Sequence, residues 1–281
     1  MARTGFVGAD VQDDFLRARR RRAASQIVRR LRGEPGDVNV ILPFDEVISA
    51  LGRTGERRLG LQVIPLDSIV GTVDRTREFD RQFRPTSGRV RGRWERMAAA
   101  MRRGEPLPPI DVYRIGELHF VRDGHHRVSV ARALGRRDID AYVSEVKTRV
   151  PIDASLRPSE LLCKDHERLF SERVPLAPEA RDRVHVSNPL DYADLAEGVE
   201  AWGMRAMQER RAFMDRSEVA AAWYEHEYLP VVELLRDAGL LGPGTEADSY
   251  LRLSAERYRR LGTHEWSEEA LETLARQPPK R

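Results

Sequence analysis

The sequence predicts an α+β protein: a mixed α/β domain with a basic helix before it and an all-helical region after it. Three observations carry this. Between residues 60 and 150, short apolar runs bounded by Gly and Pro alternate with stretches of helical spacing. Within them, Gly116-Glu117 joins two strand-like runs into a hairpin. Beyond residue 190, apolar residues recur at helical intervals and the strand signals stop. Three regions are expected: residues 1–59 as a basic helix and lead-in, 60–150 as a compact α/β domain, and 151–281 as a linker and helical domain.

Residues 11–33 read as an Arg-rich helix whose apolar positions are Phe15, Ala23, Ile27, Val28 and Leu31, ended by Gly33, Pro35 and Gly36. The run Val38–Leu42 suggests a strand, Phe44–Leu51 a brief helix, and Leu61–Val70 a further strand. Residues 71–90 show little periodicity. Arg91–Arg103 is a helix with Trp94, Met97, Ala98 and Met101 on one face, stopped at Gly104. Ile110–Ile115 and Leu118–Val121 form the hairpin, His126–Leu134 a helix closed by Gly135, and Ile139–Val146 the last strand. Residues 152–190 look irregular, with short strands at 169–174 and 183–187. Helices follow at Asp194–Met214, at Glu218–Ala238 with Ser217 as cap and a kink at Pro230, at Glu246–Leu261 and at Ser267–Arg276. Trp223, Tyr224, Tyr228 and Tyr250 fall on these helices as core or dimer contacts.

Composition excludes several classes. No stretch approaches the roughly 18 apolar residues that span a bilayer, so no membrane role is expected. No secretory signal is read at the N-terminus, and a cytoplasmic address is the expectation. A single cysteine, Cys163, excludes a disulfide framework within the chain and a cysteine-clustered metal site. Of the 48 basic residues only Lys147, Lys164 and Lys280 are lysine, so 45 are arginine. The formal net charge of +3 hides a strong asymmetry. Residues 1–34 hold nine Arg against four acids, residues 71–103 hold ten against four, and the remainder carries a net −8. Basic blocks of this kind meet phosphates in nucleotides or nucleic acid.

The segment Val121-Arg122-Asp123-Gly124-His125-His126-Arg127 carries the most chemical information. It lies where a strand hands over to a helix N-terminus, and free N–H groups together with the helix dipole make such a junction an anion site. Gly124 permits a tight turn and close backbone approach. His125, His126 and Arg127 add donors suited to phosphate, and Asp123 could hold Mg²⁺ against phosphate oxygens. The bland reading is an Asp-Gly turn whose aspartate caps the helix beside two structural histidines. Zinc is disfavoured, because neighbours on a helix point about 100° apart and the nearest other histidine, His119, is on the preceding strand. A second candidate is the basic stretch 74–96. There Glu78 or Asp80 could act as a general base on a lid pinned by Phe79 and Phe83, and Arg84 could meet phosphate. Its bland reading is a solvated loop whose acids neutralise its arginines.

Residues 63–146, with Leu107-Pro108-Pro109-Ile110 before the hairpin and DGHHRVSVARALG after it, resemble the ParB/sulfiredoxin superfamily. In ParB-type domains the equivalent strand–turn–helix binds the triphosphate of CTP. In sulfiredoxins the turn carries a catalytic cysteine, where this chain has His125, so that activity is not expected. The DGHHR stretch is most similar to that of free serine kinases, where it binds nucleotide phosphates and metal while an upstream acid acts as base. The chain departs from both relatives: it lacks an evident His-Glu pair after the first strand, and Phe83-Arg84-Pro85 only loosely echoes the Gln-Pro-Arg box of ParB proteins. The helical remainder is similar to C-terminal extensions of bacterial ParB-like proteins.

The resemblance implies a nucleotide-binding protein taking ATP, ADP or CTP, with Mg²⁺ on Asp123, acting as a phosphotransferase on a small hydroxylated substrate. In this reading Gly124, His125, His126, Arg127 and Arg84 hold phosphates, and Asp123, Glu78 and Asp80 are the candidate catalytic residues. The alternative is a ParB-like partitioning or regulatory protein, switched by CTP, that binds DNA or a partner without turnover. A nuclease is a third, weaker reading, because no carboxylate cluster typical of two-metal catalysis is present. A homodimer through the C-terminal helices is a further expectation. The Arg-rich helix 17–32 leaves DNA as a partner, although residues 151–190 offer no helix-turn-helix where partition proteins place one.

Overall fold

A computed structural model describes residues 7–276, and the side chains from Gly8 onward. The chain divides into two compact units, Met1–Leu162 and Cys163–Arg281. In the first, α1 (Val7–Leu31) leads through a turn to β1 (Leu42–Pro43), α2 (Phe44–Leu51), β2 (Arg53–Pro65) and β3 (Ile69–Thr72). Then come α3 (Arg91–Arg102), the hairpin β4 (Ile110–Ile115) and β5 (Leu118–Asp123), α4 (His125–Ala133) and β6 (Asp138–Thr148). The strands form one mixed sheet in the order β1-β3-β5-β4-β6-β2. β3 is parallel to β1 and β5, β4 is parallel to β6, and the hairpin and the β2–β6 pair are antiparallel.

Alternation along the strands feeds two separate apolar cores. One contains Ile69, Val112 and Val121 with Phe15 of α1, Trp94 of α3 and Val128 of α4. The other contains Val70 and Phe120 with Phe44, Val47 and Leu51 of α2. Val150, Leu156 and Leu161 complete the latter, so the segment after β6 packs into the first unit.

Several expectations are corrected. The buried stripe of α1 is Val11, Phe15 and Ala18 with the charged Asp14, while Ile27, Val28 and Leu31 are exposed, and so is Ala23. The first two turns pack on α3, where the Phe15 and Trp94 rings lie 5.5 Å apart edge to face; the last turns present arginines instead. Residues 38–41 form a turn, closed by the Val40 N–H donating to Asp37 O, and only Leu42–Pro43 pair with a strand. The expected strand 61–70 is two strands. Pro65 has no N–H for the ladder, and a 3-10 turn at Leu66–Ser68 separates β2 from β3. β2 instead reaches back to Arg53, with register shifts at Arg53/Gly55 and Arg58/Gly60. Its charged residues conceal it, because it is an edge strand with a solvated surface.

In the second unit, the expected strand at 169–174 is part of a helix, α5 (Leu161–Arg173), held by i,i+3 and i,i+4 pairs such as Lys164–Glu167 and Arg168–Glu172. After the short α6 (Pro178–Arg181), residues 183–187 run as loop and lend Val184 and Val186 to the core. α7 (Asp191–Arg210) starts and ends earlier than the periodicity suggests. It passes close to α8 (Arg216–Trp223) at Gly203, where a Cβ would stand 2.5 Å from Val219 Cγ1. The cap of α8 is Asp215, not Ser217: its carboxylate accepts from the Ser217 and Glu218 N–H groups. The kink expected at Pro230 is a π turn, Tyr224–Tyr228, just before α9 (Leu229–Asp237), since Pro230 cannot donate to the preceding turn. α10 (Glu246–Leu261) and α11 (Glu268–Arg276) follow. Trp223, Tyr228 and Tyr250 are buried together, with the indole N–H donating to Tyr250 Oη at 3.2 Å. They are core residues. Among the described residues, no helix is long and apolar enough to cross a membrane.

Candidate functional site

β5 ends at Asp123, and Gly124 turns the chain into α4 with φ 100°. Only glycine fits there. A Cβ would lie 2.4 Å from Ile110 Cγ2, and the backbone is left-handed. Gly124 is also the N-cap, and no side chain caps the helix, so the first N–H groups of α4 keep their donor capacity. β3 ends beside this turn because it runs parallel to β5, with Thr72 opposite Val121. The site therefore sits at the carboxyl ends of two parallel strands, the usual place for ligands in open α/β sheets.

Both histidines are buried. His125 Nε2 lies 2.7 Å from Thr72 Oγ1 and 3.6 Å from Asp74 Oδ1. His126 is 8% exposed, and its Nδ1 is buried with no hydrogen-bond partner. Burial pushes both imidazoles down to about 4; Asp74 partly opposes this at His125, and the nearby Arg93 charge reinforces it at His126. Both rings are neutral at pH 7. Phe79 packs against them, 6.4 Å from the His125 ring and 5.4 Å from that of His126. Phe83 stacks on Phe79 and reaches His125 from a left-handed backbone, φ 55°.

The charged candidates are engaged. Arg127 donates to Pro108 O, to Pro109 O at 2.7 Å and to Asp123. It ties the entry to β4 to the turn. The Asp123 side chain is 76% exposed, so this ion pair leaves it facing solvent. Asp111 stands opposite it in the hairpin register and pairs with Arg122. Glu78 accepts from Arg75 Nη1 at 2.8 and 2.9 Å, and its charge acts on both histidines. Among the described residues, no group of three or more His, Cys, Asp or Glu could hold a metal ion by itself. A Mg²⁺ here would thus need phosphate oxygens as well as Asp123, which is how this ion commonly binds.

Asp80 and Arg84 belong to different surroundings. Asp80 is 6% exposed and accepts from the Gln82 N–H at 3.0 Å, the Arg84 N–H at 2.9 Å and Arg84 Nε at 2.8 Å. Arg22 of α1 approaches it to 3.7 Å. Asp80 thus fastens its own turn to α1, and Arg84 goes with it. The turn brings together Gly124, His125, His126, Arg127 and Asp123 with Glu78 nearby. Thr72 joins them although the sequence does not mark it, together with Asp74 and Arg75 from the start of the basic stretch. Their signal is the parallel β3–β5 pairing, which a strand drawn across residues 61–70 obscures.

No protein-family model matches the chain, and no curated protein matches it. Among solved structures, a sulfiredoxin from Arabidopsis thaliana is similar to 31% of this chain and 86% of its own, at 21% identity and a TM-score of 0.25. Two structures of a pNOB8-like ParB N-domain are similar over 79% and 80% of this chain, and 82% and 86% of their own. Their identities are 11% and 13%, and both TM-scores are 0.22. At these TM-scores the likenesses carry no argument about ligand or reaction.

Proposed function

We propose that the chain binds a nucleotide, with its phosphates at the N-terminus of α4, and transfers a phosphoryl group to a small hydroxylated substrate. One observation supports this above the rest: a helix start that only glycine can make and that no side chain caps lies beside a buried, neutral His126 whose Nδ1 has no protein partner. Orphaned donors, a helix dipole and a neutral imidazole suit an anion that arrives with its own charge. The α4 N–H groups, His125 and His126 hold phosphate oxygens, while Arg127 fixes the turn. Asp123 faces solvent, where it would meet a Mg²⁺ carried by the nucleotide; that ion would neutralise charge on the transferring group. In the reaction, the bond from the terminal phosphorus to the bridging oxygen breaks and a bond to the substrate oxygen forms. The hydroxyl proton passes to Glu78, released from Arg75. Asp80 takes no part, since its oxygens are committed to its own turn.

Thermal unfolding with ATP, ADP, CTP or GTP, each with Mg²⁺, tests binding. At least one nucleotide should raise Tm, because a ligand of the folded state alone stabilises it. No shift with any nucleotide overturns the assignment. For transfer, Asp123→Asn should abolish turnover with the fold intact; unchanged turnover refutes that role.

A second reading is favoured by the pairing of both acids: Asp123 with Arg127 and Glu78 with Arg75. A site whose carboxylates are engaged suits a nucleotide-switched regulator, with CTP as ligand and DNA, a partner or a second copy of the chain as target. Nucleotide-dependent dimerisation or salt-sensitive DNA retention without product formation would select it over transfer.

A further inference from the structure

The two basic blocks of the sequence converge on a cavity that the α4 N-terminus does not share. It has a volume of about 720 Å³, within the range that holds small organic ligands. α1 contributes Arg17, Arg21 and Arg29 to its wall, and α4 and the residues after it contribute Arg132 and Arg136. Arg81, Arg84 and Arg157 close it from neighbouring loops, against only two acids, Asp14 and Asp67. Arg132 lies two turns, roughly 10 Å, along α4 from His125.

Three features separate this cavity from a solvated basic face. First, four of its side chains bury donors with no partner: Arg29 Nη1, Arg84 Nη2, Arg132 Nε and Asn39 Nδ2. Buried donors of this kind normally have partners, and an anion brings acceptor oxygens to this wall. Second, the acids balance only half of the wall. Arg17, Arg29, Arg84 and Arg157 pair with Asp14, Glu34, Asp80 and Glu160, and Asp14 also accepts from Arg102 of α3. Arg21 and Arg136 have no carboxylate partner among the described residues. Third, the arginines are held over apolar side chains: Leu66, Ile69 and Phe83 behind the wall are buried, and the Arg132 guanidinium lies over the Phe83 ring at 5.5 Å. Burial lowers Arg132 to about 10, which leaves it charged at neutral pH, and also lowers Arg81. The cavity thus gathers eight arginines, four of them in ion pairs and two of them without a carboxylate partner among the described residues.

We propose that this cavity is a second anion site, which takes a small ligand with at least two phosphate groups. The phosphates meet the arginine wall, where guanidinium forks can bind oxygens bidentately. A nucleoside diphosphate and an inorganic polyphosphate share the required chemistry, and only the former carries a planar body.

Calorimetric titration with ADP and with pyrophosphate, in low salt and without Mg²⁺, tests it. Arg21→Glu/Arg136→Glu changes two exposed, carboxylate-free side chains, and Asn39→Asp puts a negative charge against the wall. Arg58→Glu/Arg210→Glu, with the same change in net charge far along the sequence from the wall, is the control. Both cavity variants should weaken one binding event tenfold or more while the control stays within twofold. Tighter binding of ADP than of pyrophosphate identifies a ligand with a planar body, and equal binding identifies an inorganic polyphosphate. Affinity within twofold of the original in both cavity variants overturns the proposal, as does the absence of binding by either probe. Loss confined to His126→Ala, with the cavity variants unaffected, also overturns it and assigns all binding to the α4 N-terminus. Circular dichroism of each variant verifies the fold.

Discussion

In the two proposals above, the ends of α4 hold anions by opposite means. At its N-terminus the helix dipole supplies partial positive charge, and the side chains there are neutral histidines and paired ions. Toward its C-terminus the dipole is adverse, and eight arginines stand around a cavity with two acids. Where backbone dipoles help, full charges are unnecessary; where they oppose, full charges are required. In that reading the first arrangement would select by shape and hydrogen bonding, and the second by charge.

Disruption at the N-terminal end should show the largest effect. Gly124→Ala forces a Cβ against Ile110 from a left-handed backbone and should cost about 3 kcal/mol in denaturant unfolding, with nucleotide binding lost even where the protein remains folded. Asp80→Ala is expected to be nearly as costly, about 3 kcal/mol, because Arg84 and Arg22 lose the buried carboxylate that fastens the 80–84 turn to α1. It should also loosen the arginine wall, since Arg84 belongs to it. A variant as stable as the original would show that the turn is held without this anchor.

The pH response follows from three buried histidines, His119, His125 and His126, each lowered to about 4 by burial. Below pH 6.5 the unfolded chain gains protons that the folded chain refuses, so stability should be full above that value and fall as pH drops toward 4. The slope should be of order 1 kcal/mol per pH unit for each group, read from unfolding at a series of pH values. A phosphate bound at the α4 N-terminus raises the affinity of His125 and His126 for protons, so nucleotide binding near pH 5 should take up protons. The smallest difference is in salt sensitivity between the sites. Anion binding in the arginine cavity should weaken more steeply with ionic strength than binding at the α4 N-terminus, which uses dipoles and neutral donors.

The sequence made one of these ends readable and concealed the other. Asp123-Gly124-His125-His126-Arg127 is contiguous, and its strand–glycine–helix order follows from local chemistry, so the turn stands where the spacing puts it. The hairpin, α2, α3 and α10 are legible for the same reason: turn residues and apolar periods agree. The arginine cavity is assembled from α1, β3, the 81–84 turn, α4 and the 154–157 loop, which no local pattern connects. The charge asymmetry identified both basic blocks, yet not their convergence. The apolar residues of α1 misled because Ile27, Val28 and Leu31 form a plausible stripe, whereas packing on α3 selected Val11, Phe15 and Ala18. β2 was hidden by its charged edge, and with it the boundary at Pro65 that frees β3 to place Thr72 and Asp74 beside His125. The lid read over residues 74–96, with Phe83-Arg84-Pro85 as a loose echo of the ParB box, offers Asp80 and Arg84 as site residues, whereas the pairing of Asp80 with Arg84 and Arg22 fastens both to α1.

The claim that phosphate is held by the first turn of α4 is tested most directly by amide NMR of the labelled protein during titration with the nucleotide that raises Tm. Large shifts should appear at the N–H groups of His125, His126 and Arg127, with matching changes at the His126 ring. Shifts absent from that turn while nucleotide binds, or confined to residues such as Arg21, Arg132 and Arg136, would contradict it.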